Sequence, residues 1–93
     1  MTVLELAKTA LGIPADNHDV DTQLEALIEA GRELLRGSGV AEKYLSDGAD
    51  ALVTSLLLIY VTASFGFKND GGLKELPKHF DLLLRQLSLT KHD

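Results

Sequence analysis

The chain has no cysteine and no tryptophan, only two prolines, and a small set of aromatic rings (two tyrosines and three phenylalanines). Without cysteine there is no disulfide framework, no thiol nucleophile and no thiolate metal site. Few aromatics beside abundant Leu and Ala favour helices over a sheet. Basic charge is also short: 9 Lys and Arg against 14 Asp and Glu leave a net charge of −5. That balance argues against simple phosphate-driven binding of nucleic acid. The first residues lack a basic segment followed by an apolar one, so no signal peptide is expected. The longest uncharged run, Ala51 to Phe67, is 17 residues. A membrane span needs about 20 predominantly apolar residues. This run also contains Thr54, Ser55, Thr62, Ser64 and Gly66, and its flanks (Asp47, Asp50; Lys68, Asp70) carry no basic excess to orient insertion. A buried central helix is favoured over a membrane span.

What is present is organised around that run. Across Ala49 to Phe67, Leu52, Val53, Leu56, Leu57, Leu58, Ile59, Val61 and Phe65 fall on every side of a helix rather than on one stripe. Such a helix must be covered all round. The rest of the chain is then its wrapping, alone or together with a neighbouring subunit. At 93 residues the chain is one small domain, residues 1–93. A chain of that size buries about 60–65% of its unfolded surface, so a monomer is feasible but marginal. The expected fold is all-α: a small bundle of about four helices around a long apolar central helix at about residues 47–66.

In chain order, Thr2 and Glu5 stand at capping-box spacing. Val3, Leu6, Ala7, Ala10 and Leu11 form the apolar face of a short first helix, and Gly12, Ile13 and Pro14 end it. The polar loop Ala15 to Asp21 holds Asp16, His18, Asp19 and Asp21. It lacks the glycine at position six and the glutamate at position twelve of a calcium loop, so its carboxylates read as helix-capping groups rather than metal ligands. A second helix spans about Thr22 to Arg36, with a possible Thr22–Glu25 capping box and apolar residues at Leu24, Leu27, Ile28, Leu34 and Leu35. Gly31 lies in that apolar face and allows close approach of the central helix. Gly37 and Gly39 end it. Residues 40–45 fit either one helical turn or an irregular arm, with Tyr44 and Leu45 docking on the core. Ser46 or Asp47 is expected to cap the central helix, with Asp50 in its first turn. Phe67 to Gly72 reads as a turn, and the last helix is expected to start near Pro77. Phe80, Leu83, Leu84 and Leu87 make its apolar face, Leu82 and Leu89 lie off that face, and residues 90–93 are expected to fray.

The pattern offers no catalytic chemistry. His18, His79 and His92 are far apart, no serine sits in a nucleophile elbow, and no carboxylate pair is set in an apolar site. No catalytic, cofactor or metal residues are assigned. Charge is distributed unevenly: residues 1–40 carry −4, residues 41–70 −2 and residues 71–93 +1. Either these are solvated helix faces, or the acidic front of one copy meets the basic back of another. The candidate oligomer or partner contacts are Glu25, Glu29 and Arg32 on the second helix and Lys74, Lys78, Leu82, Arg85 and Leu89 near the end.

Several groups of residues, taken together, carry a resemblance. Leu4-Glu5-Leu6-Ala7-Lys8 and Leu11-Gly12-Ile13 are followed by an acidic gap from Asp16 to Asp21. Then come Leu24, Leu27-Ile28, Ala30-Gly31 and Leu34-Leu35; Leu56-Leu57-Leu58 with Phe65; and Leu76-Pro77 with Leu83-Leu84-Arg85. In this order the chain resembles the small helical head–tail connectors of tailed phages and prophages, also described as DNA-packaging proteins. The family often has a tyrosine and a polar turn after the central helix, where Phe65-Gly66-Phe67-Lys68 stands here. The resemblance implies a structural adaptor rather than an enzyme, found in the virion and assembled in the host cytoplasm. It implies a ring of about twelve copies built by head-to-tail contacts. That ring docks below the portal, extends the DNA channel and receives the next tail-side protein. DNA would pass through without sequence-specific binding, and no membrane is involved. The alternative is a small helical interaction or regulatory module, acting as a monomer or dimer.

Overall fold

Local sequence signals place the first helix. The computed structural model describes residues 2–70 and 80–91, with backbone alone for 66–70. In α1 (Val3–Ala10) the Thr2 hydroxyl accepts the Glu5 N–H at 3.1 Å, and the Glu5 carboxylate accepts the Thr2 N–H at 3.0 Å. The helix ends at Gly12, whose φ of 73° needs no Cβ. The Ile13 N–H reaches back to the Lys8 carbonyl and the Gly12 N–H to that of Thr9, at 2.8 and 3.2 Å. These are the paired bonds of a Schellman ending.

The second helix, α2 (Asp21–Gly37), starts one residue earlier than expected. Thr22 lies inside its first turn and is not the cap, so the Thr22–Glu25 box gives way to another device. Asp21 is held from outside the helix, by the Lys8 ammonium at 2.9 Å and His18 Nδ1 at 2.7 Å. Lys8 is 4% exposed, and its ammonium also donates to the Ala15 carbonyl at 3.2 Å. This partly buried ion pair, 13 residues apart in sequence, ties the loop and the start of α2 to α1. Leu24, Ile28, Gly31 and Leu35 are buried on the inner face of α2.

Residues 38–50 form an arm folded against the core. Val40, Ala41 and Leu45 are buried, and Glu42–Tyr44 makes a single 3₁₀ turn. The central helix, α3 (Ala51–Asp70), starts later than residue 47 and runs past Gly66. Its cap is Asp50, whose Oδ1 accepts the N–H groups of Leu52 and Val53 at 3.0 and 3.1 Å, and not Ser46 or Asp47. Gly48, at φ 74°, turns the chain before α3 can begin. Phe67 to Asp70, expected as a turn, continue the helix. Gly71, Gly72 and the expected helix start at Pro77 lie outside the described residues.

The last helix, α4 (Phe80–Thr90), buries Phe80 and Leu87 and half-buries Leu83 and Leu84, the expected face. Its end does not fray at Thr90 and Lys91. The Ala41 N–H donates to the Lys91 carbonyl at 2.7 Å, and the Lys91 ammonium reaches Asp50 Oδ2 at 3.0 Å.

Among the described residues the result is an all-α bundle of four helices. α3 packs against α1, α2 and α4, and α1 also packs against α2. Val53, Leu56, Leu57 and Val61 of α3 meet Val3 and Ala7 of α1, Leu24, Ile28 and Leu35 of α2, and Phe80 and Leu87 of α4 in one core. The covering of α3 is incomplete: Ala51 and Ser55 are exposed, and Leu52 is 58% exposed. Among the described residues no helix is long and apolar enough to cross a membrane.

Candidate assembly surfaces

Two unlike surfaces stand out, and both follow from which face each helix gives to the core. Because α2 buries Leu24, Ile28, Gly31 and Leu35, its outer face is left with Glu25, Glu29 and Glu33 at four-residue spacing. Ala26, Ala30 and Leu34 run beside them, also exposed.

The two cations of α2 are used within the molecule. Arg32, 16% exposed at its side chain, donates Nε to the Leu45 carbonyl at 2.8 Å. It also donates Nη1 to Glu29 at 2.6 Å and Nη2 to Asp47 Oδ1 at 3.0 Å. The same Asp47 oxygen accepts the Val3 N–H at 3.0 Å, so one carboxylate joins α1, α2 and the arm. Arg36 makes a two-toothed contact with Glu42, at 2.6 and 3.0 Å, and pairs with Glu33. The Arg36 contact pushes the Glu42 carboxyl below the usual glutamate range, and Glu42 in turn holds the guanidinium firmly protonated. Arg32 and Arg36 thus pair Glu29 and Glu33 as well as the arm, and Glu25 remains the carboxylate of this row without an ion pair among the described residues.

The second surface is a groove of about 380 Å³ between α3 and α4. Leu52, Leu56 and Ile59 line one wall and Leu83, Leu87 and Leu89 the other. Among the described residues no charged side chain lines it. The outer face of α4 beside it carries Leu82 and Leu89, 55% and 67% exposed, with Arg85 exposed between them. Around α3, the residues turned to this groove lie roughly 120° from Leu57 and Tyr60, which meet α2, at 100° per residue. The acidic face and the apolar groove therefore belong to different sides of the bundle.

Of the residues singled out in the sequence, the structure brings Glu25, Glu29 and Arg32 together beside Asp47 in one cleft. It places Leu82, Arg85 and Leu89 together on α4. Lys74 and Lys78 lie outside the described residues. Sequence reasoning missed Asp47 as a junction, the Asp50–Lys91 tie and the wall contributed by Leu52. Leu52 shares a helical face with Leu56 and Ile59, but on a helix apolar all round no sequence signal says that this is the face that receives α4. Of the acidic loop, Asp21 is used by Lys8 and His18, and the Asn17 side chain accepts the Asp19 N–H at 3.0 Å. Among the described residues no three His, Cys, Asp or Glu side chains gather to hold a metal ion.

The family model for phage connector proteins matches residues 3–93, nearly the whole chain, and the chain belongs to that family. No curated protein and no solved structure matches it. Membership makes it a structural connector component of a phage, working with other head and tail proteins.

Proposed function

We propose that the chain is a virion adaptor, one connector domain over residues 1–93, which forms a closed ring of about twelve copies by head-to-tail contacts. The ring sits below the portal, joins capsid to tail, extends the DNA channel and offers its far side to the next tail-side protein. It assembles in the host cytoplasm and has no catalytic role. The observation that carries this reading is the presence of two unlike surfaces on different sides of one small chain. A ring needs such a pair, because each copy offers one surface to the copy before it and the other to the copy after it. The acidic excess fits a channel component as well: with no net positive field there is no counterion release to hold DNA in place.

The test is binding to the portal of the same phage. Negative-stain images of portal rings mixed with the protein should gain a collar with a central hole on the tail-facing side. Portals that gain no density at saturating protein would overturn the reading. A strict dimer that ignores the portal would instead favour a small regulatory module.

A further inference from the structure

We infer that the α3–α4 groove is the seat for the outer face of α2 from the next copy, so that α2 is the head and the groove the tail of each ring contact. This rests on the ring reading and names the two surfaces that mate. Chemistry on both sides supports the pairing. The described lining of the groove is mainly apolar, and one helical turn before Leu89 on the outer face of α4 stands Arg85, a guanidinium with no ion pair among the described residues. The outer face of α2 offers the complement: Leu34, 38% exposed, for the groove, and for Arg85 the carboxylate of Glu25, which Arg32 and Arg36 leave without an ion pair among the described residues. Ala26 and Ala30 keep that face low, which lets a helix backbone settle between the projecting Leu52 and Leu89. A like-with-like contact through two grooves would instead set Arg85 near its own copy across the two-fold axis. The contact between unlike faces brings opposite charges together, covers the exposed side of α3 and leaves a free groove and a free α2 at either end of any open chain of copies.

The absence of cysteine from the sequence makes the pairing directly testable. Two exposed positions, Ala30 on α2 and Gln86 on α4 at the groove, are changed in one chain, Ala30→Cys with Gln86→Cys, and the protein is oxidised at high concentration. The inferred contact gives a ladder of cross-linked trimers, tetramers and longer species, at least tenfold above that from either single variant. Cross-linking that stops at a dimer, or that is absent in a variant whose helical content and melting match the parent, overturns the pairing. Light scattering of the unmodified protein separates the two claims. Rings without a ladder would refute these surfaces and leave the ring standing; a ladder from open chains that never close would establish the surfaces and refute the ring.

Discussion

Gly31 sets how closely α2 lies on α3: a Cβ at that position would stand 2.9 Å from Leu57 Cδ2 and 3.1 Å from Tyr60 Cδ1. Leu57 is 1% exposed and has little room to yield. Alanine would gain about 1 kcal/mol of helix propensity but lose about 1–3 kcal/mol to overpacking. Gly31→Ala is therefore expected to destabilise the fold by about 1 kcal/mol, and Gly31→Leu to prevent folding. Urea midpoints check this. The companion variant Leu57→Ala should cost about 2–5 kcal/mol alone and less than additively with Gly31→Ala, because the added methyl then has space.

Asp50 both caps α3 and binds Lys91, so its loss should exceed the loss of its partner. Asp50→Ala is expected to cost about 1–2 kcal/mol through the cap. Lys91→Ala should cost under about 1 kcal/mol, as for a partly exposed ion pair. Both should speed amide exchange of Ala41, whose N–H is bound to the Lys91 carbonyl. Equal exchange in Lys91→Ala and the parent would show that the ammonium does not hold the end of α4.

The Lys8–Asp21 pair invites an asymmetric test. Lys8→Met keeps the buried aliphatic stem and removes the charge, and is expected to be close to neutral in stability. Asp21→Asn leaves the buried ammonium without its counter-charge and is expected to be clearly worse. The reverse order in thermal melts would show that the pair itself, rather than the relief of a buried charge, fixes the start of α2.

Acid should loosen the fold through identifiable carboxylates. The Lys8 hydrogen bond, then that of His18, holds Asp21 below the usual aspartate range. The Val53 N–H does the same for Asp50, assisted by Lys91, and Arg36 for Glu42. Each folded-state value lies below the unfolded one, so each contribution is complete above the ordinary carboxylate range and is lost as pH falls through the lowered values. Stability measured against pH should be nearly flat from neutral to about pH 5 and fall below about pH 4. Asp50→Asn should flatten part of that fall; an identical profile would remove Asp50 from the explanation.

These variants also mark what was legible in the sequence. The ends of α1 were, because Thr2–Glu5 and Leu11–Gly12–Ile13 act on their own neighbours. The inner face of α2, Gly31 included, was legible from spacing except for Leu34, which was expected in it and stands 38% exposed. The start of α2 was not, because Asp21 is recruited by Lys8 from another helix. The cap of α3 was misplaced for a related reason: Asp47 had the right residue type, but its carboxylate is taken by Val3 and Arg32, and Gly48 lies between it and the helix. Lys91 read as tail because its partners, Ala41 and Asp50, are distant in sequence. The acidic and exposed-leucine positions were picked out singly. The groove was not, since a helix that is apolar all round carries no marker of which side its own chain leaves uncovered.

Self-association should depend on surface residues that the monomer fold does not need. Leu82→Ser with Leu89→Ser is expected to leave the melting temperature nearly unchanged, because both side chains are more than half exposed. The same variant should weaken oligomer formation at least tenfold. Arg85→Glu should weaken it as well, most strongly at low salt. Analytical ultracentrifugation at two salt concentrations distinguishes the apolar from the charged contribution.

The most direct test of the adaptor reading is the mass of the purified 10.1 kDa chain by light scattering across a concentration series, alone and with the portal, with negative-stain images of any large species. A closed ring of many copies with a central hole, free or seated on the portal, is the expected result. A mass of one or two copies at every concentration, with no ring added to the portal, would contradict it.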